Sequence, residues 1–459
     1  PAGLLTAINL LRRGEKGPFS YSVTLVDVGV DYGALDDLSK KRSWMIGLSS
    51  HGLRALRRVP GLYEDYVSKV GVAIERNITY LGGKSFGSGT PGSLETYVVD
   101  RNFIVASMAR YLNDQFLSSG RLKLMYRHRL LLVDPDQRRV LVRSDPELGG
   151  GESYVGYDLL VGCDGVRSSV RAALVSSHRD FDCSISDIFT AFRSVHIERP
   201  EQLEANDLAV LPQCLPKING IALPETGGQI NLAMGYNLDA SCDAALHSTD
   251  PEEVAAYLQA TWKAFPLPWD DFARQWVAQP WSSTGQVHCN FYHSDRLQLL
   301  IMGDAAHATS PSIGQGMNTA LDDAAALDLL MDKHSGDLGE VLPAFSAERV
   351  KEGNALTDIA FYAYSYSTTQ VLAITLSQLI QNRLASWFPS LVSPEPLTEV
   401  ARGGKLSVAY DRLTKMGRLP AVRTVNDRAR RAHFEKTTGM VVADDSSRLG
   451  PRCSCLYGR

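Results

Sequence analysis

The stretch that most constrains this chain runs from Leu299 to Met331 and reads LLIMGDAAHATSPSIGQGMNTALDDAAALDLLM. Just before and into it, Leu297 to Met302 is an apolar run with the length and makeup of a buried strand. The run stops at Gly303-Asp304, crosses a loop containing Pro311, Gly314 and Gly316, and becomes an Ala/Leu-rich helix from about Met317. A strand that halts at Gly-Asp and leads through glycines into a helix suits a long, phosphate-bearing cofactor. Glycines let backbone approach a ligand, the helix N-terminus offers N–H groups, and the early carboxylate can bind ribose hydroxyls.

Two further places carry the same kind of signal. Tyr157 to Arg171 reads YDLLVGCDGVRSSVR, a short apolar strand at Leu159 to Val161 that runs into Gly162-Cys163-Asp164-Gly165 and a helix starting near Ser168. On structural grounds alone Asp164 is an N-cap for that helix, a role compatible with contact to a ligand. At the front of the chain, Leu4, Leu5, Ile8 and Leu11 share one helical face, and a strand from Val23 to Val26 ends at Asp27. Gly3, helix, strand and terminal carboxylate form the later part of a Rossmann βαβ unit. In that unit an acidic residue about 20 residues past the glycines binds the adenosine ribose. If Gly3 is the third glycine of a GxGxxG turn, the first strand and the first two glycines precede residue 1.

A chain of 459 residues, 44% hydrophobic and 21% charged, has the material for two or three packed layers or domains. A net charge of −4 gives no case for nucleic-acid binding. Seven scattered cysteines argue against a disulfide framework and for a reducing intracellular compartment, with Cys453 and Cys455 read as two thiols of a tail. No uncharged apolar run reaches about 18 residues, so no membrane span is expected. From Arg402 onward 13 Lys/Arg stand against 5 Asp/Glu, a local excess of +8. That excess reads as a solvated basic tail, or as a surface for an acidic protein or an anionic membrane face. Between 174 and 295, short alternating runs separated by Gly, Pro and Asn predict an antiparallel sheet, with helices at Glu252 to Phe265 and Phe272 to Val277. Arg121 to Ser144 predicts a two-stranded hairpin turning at Asp134-Pro135-Asp136, and later helices fall at Leu342 to Tyr366 and Val371 to Phe388.

GDAAH, Pro311 and GQGMN in this order and spacing, together with the turn at Asp164, resemble the FAD fingerprints of the FAD-dependent aromatic hydroxylases (group A flavoprotein monooxygenases). The similarity runs from Pro1 to about Pro396 and leans toward the kynurenine 3-monooxygenase branch, with LMDKHSGDLGEVLPAFSAERV following the fingerprint. It implies an α/β chain: a Rossmann-like FAD-binding domain of the p-hydroxybenzoate hydroxylase fold, an interleaved antiparallel-sheet substrate domain, and C-terminal helices. The implied division places 1–77, 99–173 and 296–340 in the FAD-binding domain and 78–98 and 174–295 in the substrate sheet. C-terminal helices take 341–400, and a partly disordered basic tail takes 401–459. The implied cofactors are FAD and NADPH. The implied reaction is hydroxylation of a small aromatic substrate with O2 through a flavin C4a-hydroperoxide, without a protein nucleophile. By family position Gly3, Asp27, Arg42, Arg101, Asp164 and Asp304 hold FAD. Pro311 opens the flavin loop, and Gly314, Gln315, Gly316, Met317 and Asn318 lie along the ring, with His307 structural or flavin-adjacent.

One substrate residue is implied: Arg76, in IERNITYLGGK, stands where an arginine of that branch binds the substrate's carboxylate. Its expected companions differ, since Thr90 or Gly89, Ala363, Tyr366, Thr398, Ser312 and Ile313 occupy their places. The resemblance therefore implies the fold and the flavin chemistry, with an altered substrate pocket. A non-catalytic subunit that keeps the fold, and a flavin oxidoreductase that inserts no oxygen, are the competing readings.

Overall fold

The computed structural model describes residues 1–16, 19–38, 43–89, 95–216, 218–236, 243–363 and 365–440. Its largest core forms around the apolar face of the first helix, Ala2–Lys16. Leu5, Ile8 and Leu11 of that face are fully buried and pack with Leu299, Leu300 and Ile301 of the strand Leu299–Ile301. Leu321 and Leu327 of the helix Gly316–Lys333 close the same cluster. Around it lie two short parallel pairs: Val23–Asp27 beside Leu122–Tyr126, and Leu160–Gly162 beside Leu299–Ile301. Parallel neighbours need crossover connections, and the long helices supply cover on both faces.

The second body is a seven-stranded sheet in the order Ser282–Cys289, Cys183–Glu198, Gln229–Tyr236, Ile218–Pro224, Asp207–Leu215, Arg76–Leu81, Lys84–Gly89. Neighbours are antiparallel except Asp207–Leu215 with Arg76–Leu81, which run parallel. Alternation along these strands puts Val195, Ile197, Leu232 and Met234 on one buried face. The helices Pro251–Thr261 and Trp269–Ala278 cover that face with Phe272 and Trp276, whose rings stack at 5.6 Å between centroids.

Three regions depart from expectation. Arg121 to Ser144 holds three strands rather than two: Leu122–Tyr126 joins Val23–Asp27, and the hairpin is His128–Asp134 with Arg139–Ser144. The chain changes sheet at Arg127, where φ is 59°, and a single left-handed residue leaves no mark in an alternating pattern. The basic region is helical well past Arg402, as Leu406–Lys415 and Arg418–Thr438. Its Leu406, Leu413, Leu419 and Val422 are buried with Leu356 and Ile359, and Arg412 and Arg418 pair with Glu399 and Glu395. The apolar helix Thr368–Trp387 turns Gln378 and Gln381 inward, to Glu395, Ser393 and Pro394, and leaves Leu372, Leu376 and Leu379 exposed. Among the described residues no helix is long and apolar enough to cross a membrane. Tyr364, Cys453 and Cys455 lie outside the described residues.

The helix Leu338–Phe361 passes very close to the GDAAH segment at Gly353. A Cβ there would lie 2.7 Å from His307 Cδ2 and closer still to the Tyr292 hydroxyl. Alanine is the better helix former by about 1 kcal/mol, yet overpacking a filled site costs about 1–3 kcal/mol. Gly353→Ala is therefore expected to lower stability in chemical denaturation; an unchanged or raised midpoint would contradict the packing described.

Candidate active site

Because Val161 pairs with Leu300 and Gly162 with Ile301 in parallel register, both strands end at the same edge of the sheet. Asp164 and Asp304 therefore leave that edge side by side, from strands about 4.8 Å apart, and both are exposed. Arg171 ties the two turns together: buried, it donates to the Ala305 carbonyl and to the Val166 carbonyl, each at 2.6 Å. The N-cap of the helix Ser169–Ser177 is Ser168 rather than Asp164; Asp164 stands just before it, accepting from the Ser168 hydroxyl and from the backbone N–H of Ser169 at 2.7 Å and of Val170 at 3.2 Å.

The N-terminal helix forms the adjoining wall. A Cβ on Gly3 would lie 3.3 Å from Cys163 Cβ, a tight contact, so glycine lets the helix start sit this close to the Asp164 turn without displacing it. Gly303 has φ +59°, and a Cβ there would meet Ala320 and Ala2 at 3.3 and 3.6 Å. The backbone of three segments thus converges with only small side chains between them. Burial lowers the pKa of the Pro1 nitrogen, and the charges of Asp27, Arg101 and Asp304, all exposed, also act on it. Arg101 is the first residue of the helix Arg101–Phe116, capped by Asp100, which in turn accepts from Ser43 Oγ at 2.7 Å. Its guanidinium lies over the Trp44 ring, 4.8 Å from the centroid, which holds it in one direction. Arg42 lies outside the described residues.

Pro311 opens a short turn, Pro311–Ile313, capped by Ser310, and Gly314 follows at φ +64° with open space around it. Gln315 is buried, Gly316 and Met317 are half-buried, and Asn318 is fully buried. Asn318 Oδ1 accepts from Ser49 N at 2.8 Å, and its Nδ2 donates to the carbonyls of Gly47 and Gly314 at 2.9 and 3.0 Å. Gln315 Oε1 accepts from Ser49 Oγ at 3.2 Å. Both side chains are thus engaged in fastening the loop to Met45–Leu48 and the helix after it, so the loop presents backbone on its open side. Gly52 sits against the Asn318 amide, 3.3 Å from its Cγ to a would-be Cβ.

Arg76 stands apart, on the seven-stranded sheet. Its Nε and Nη2 donate to the two oxygens of buried Asp207 at 2.7 and 2.6 Å, a fork-to-fork pair. Among its expected companions, Ser312 donates to the Ala360 carbonyl, Thr398 accepts from Asn382, and the Tyr366 hydroxyl accepts from Arg430. Arg430 itself lies over the Phe361 ring at 3.6 Å. Gly89 ends a strand paired with Arg76, and Thr90 lies outside the described residues.

The sequence reading missed the carboxylate on which this arrangement hangs. Asp323, fully buried in the helix Gly316–Lys333, accepts from Gly303 N at 2.9 Å, His307 Nε2 at 2.7 Å and Arg349 Nε at 2.7 Å. It fixes the backbone of the very turn that carries Asp304, and gives His307 a structural role. The available signal was a charge pair, Asp322-Asp323, inside an Ala/Leu helix with Arg349 on the next helix. Burial alone would raise the Asp323 carboxyl; His307, Arg349 and the Gly303 N–H outweigh it and hold it down at about 2. Since this lies below the ordinary 3.8, the stabilisation is complete above that pH and is lost as pH falls toward 2. Asp323→Asn is expected to cost about 3–5 kcal/mol at neutral pH, the range for breaking a buried ion pair. Denaturant titrations should show the gap to the unaltered chain narrowing below pH 3.8; a gap independent of pH would contradict the ionised state.

Comparison with known proteins follows the same line. A family model described as "FAD binding domain" matches residues 95–359, more than half of the chain. Violacein synthase of Chromobacterium violaceum is 25% identical over 432 residues, covering 91% of this chain and 95% of that protein. Kynurenine 3-monooxygenase of Sus scrofa is 29% identical over 343 residues, covering 72% and 68%. Among solved structures, Pseudomonas aeruginosa PqsL in complex with 2-aminobenzoylacetate superposes with a TM-score of 0.62 at 18% identity, over 82% of this chain and 96% of that one. 2-Methyl-3-hydroxypyridine-5-carboxylic acid oxygenase superposes with a TM-score of 0.59 at 19% identity, over 79% and 88%. The chain belongs to the FAD-binding domain family, as an FAD-dependent enzyme of the aromatic hydroxylase group.

Proposed function

We propose that this chain is a monooxygenase that hydroxylates a small aromatic compound lacking a free amino-acid group, using FAD, O2 and NADPH. The observation that carries the flavin half is the convergence of the N-terminal helix and the Asp164 and Asp304 turns, where backbone approaches so closely that Gly3 meets Cys163 and Gly303 meets Ala2. In this reading Asp27 accepts from the adenosine ribose hydroxyls and Asp304 from the hydroxyls of the ribityl chain. Arg101, held over Trp44, faces the pyrophosphate, and the first N–H groups of the N-terminal helix add to that charge. The backbone of Gly314 to Met317 lies along the ring, kept in place by Asn318 and Gln315. Bound FAD supplies the electron and oxygen chemistry, and the protein's part is to bind, orient and exclude water.

The substrate half of the proposal rests on Arg76. Two of the five N–H groups of the Arg76 guanidinium are taken by buried Asp207, whose negative charge beside it disfavours a second carboxylate. Ala363 offers no polar group, while Tyr366, Thr398 and Ser312 are engaged within the chain. A zwitterionic side chain would therefore be buried unpaired, which costs about 1–3 kcal/mol per group. Trp44 and Phe192, edge to face at 6.3 Å where the two bodies meet, offer an aromatic surface instead.

Purified chain should carry flavin absorption, and Asp304→Ala should weaken FAD about tenfold or more, the loss of a charge-assisted hydrogen bond of about 1.5–3 kcal/mol. Unchanged affinity in ultrafiltration would contradict the placement of Asp304. In a library screen, NADPH oxidation should rise with neutral or phenolic aromatics and give an oxygenated product by mass spectrometry. Kynurenine should reach no more than about a tenth of the best kcat/KM. Kynurenine as the preferred substrate would overturn the substrate half; NADPH consumption without oxygenated product would favour an oxidoreductase that inserts no oxygen.

A further inference from the structure

Cys183 and Cys289 begin and end two neighbouring antiparallel strands and stand directly opposite each other in the register. The next pair outward, Asp182 with Asn290, is joined by Asn290 N–H donating to the Asp182 carbonyl at 3.1 Å. Alternation then makes Cys183 and Cys289 a non-hydrogen-bonded pair, the closer kind, with Cα atoms about 4.5 Å apart. Disulfides span Cα separations of about 4.4–6.8 Å, so the backbone already lies within the range that a bridge requires. Both thiols are free in this structure.

We propose that Cys183 and Cys289 form a reversible dithiol site that exchanges with a small-molecule disulfide such as oxidised glutathione. The two sulfurs differ in the way such an exchange needs. Cys183 is half-buried, flanked by exposed Asp182 and Ser184, whereas Cys289 is buried. The hydrogen bond from Cys289 pulls the Cys183 thiol down to about 7 against the effect of burial, with Arg171 adding to it, and leaves Cys289 raised. A low-lying, accessible thiolate beside a buried resolving thiol is the arrangement of redox-sensitive cysteines. The Cys183 thiolate attacks one sulfur of the small disulfide and expels one thiolate, leaving a mixed disulfide. Cys289 then loses its proton and displaces the second thiolate from Cys183. Two protein thiols are oxidised, one external disulfide is reduced, and the two protons given up by Cys183 and Cys289 pass to the two departing thiolates.

The site has a structural link to the cofactor region. Arg171, whose charge acts on both sulfurs, holds the Ala305 carbonyl of the Asp304 turn. Val287, two residues before Cys289, donates to the Ala308 carbonyl at 2.9 Å, and Asn354 of the long helix donates to the Cys289 carbonyl. A bridge would staple this edge strand to its only neighbour in the sheet as described.

The test uses the purified, flavin-loaded chain, fully reduced, then incubated with oxidised glutathione, alkylated and peptide-mapped by mass spectrometry. The expected result is a Cys183–Cys289 linkage with loss of two hydrogens, reversed by dithiothreitol. In Cys289→Ser, glutathione should remain on Cys183; in Cys183→Ser, Cys289 should take none. The proposal is overturned if both cysteines of the unaltered chain are recovered as alkylated thiols, if glutathione stays on Cys183 despite Cys289, or if either sulfur links elsewhere. Flavin absorption of each variant checks that it has folded, and the result with the unaltered chain stands without them.

Discussion

A single carboxylate without exposed surface governs the geometry on which the rest depends. Asp323 gathers a backbone N–H and an imidazole from the GDAAH segment and a guanidinium from the next helix, and each is fixed relative to the others by that one acceptor. An ionised group in an apolar helix is costly unless it is fully partnered. Here the partners come from both ends of the GDAAH turn, Gly303 and His307, and from the next helix, so the requirement to satisfy the charge also sets the shape of the turn. Asp304 emerges from that turn, one residue past Gly303, with its side chain free of the core.

The same logic of engaged side chains and presented backbone runs through the site. Asp164 accepts from the first N–H groups of a helix, Asn318 and Gln315 pin a loop, Arg171 bridges two turns and Arg76 pairs with Asp207. Exposed at the ends of these segments are Asp27, Arg101, Asp164 and Asp304, together with glycine-rich backbone. Such a surface suits a long ligand bearing hydroxyls and phosphates, held by many modest contacts.

Much of this was legible in the sequence because glycines and carboxylates at strand ends have few alternative explanations. GDAAH with GQGMN, and the segment at Asp164, singled out two turns that leave neighbouring parallel strands, without any knowledge of packing. Periodicity found the first helix and the large sheet. It could not find Arg127, where one left-handed residue redirects a strand to a different sheet, because alternation continues across it. It also misjudged the region after Arg402, where charge suggested a tail but Leu406, Leu413 and Leu419 supply a buried stripe. Asp323 was passed over because its partners lie 16 to 26 residues away on other segments, a relation that spacing does not encode. The pairing of Arg76 with Asp207 was hidden for the same reason, across 131 residues.

The central claim is that FAD occupies the edge where the N-terminal helix, the Asp164 turn and the Asp304 turn meet. Hydrogen–deuterium exchange of the purified chain, stripped of flavin and then reloaded, measures this without assuming a substrate. Loading should slow exchange in the first turn of the N-terminal helix, in the segments around Asp164 and Asp304, and in the loop from Gly314 to Asn318. Protection confined to other parts of the chain, with these four segments unchanged, would contradict it.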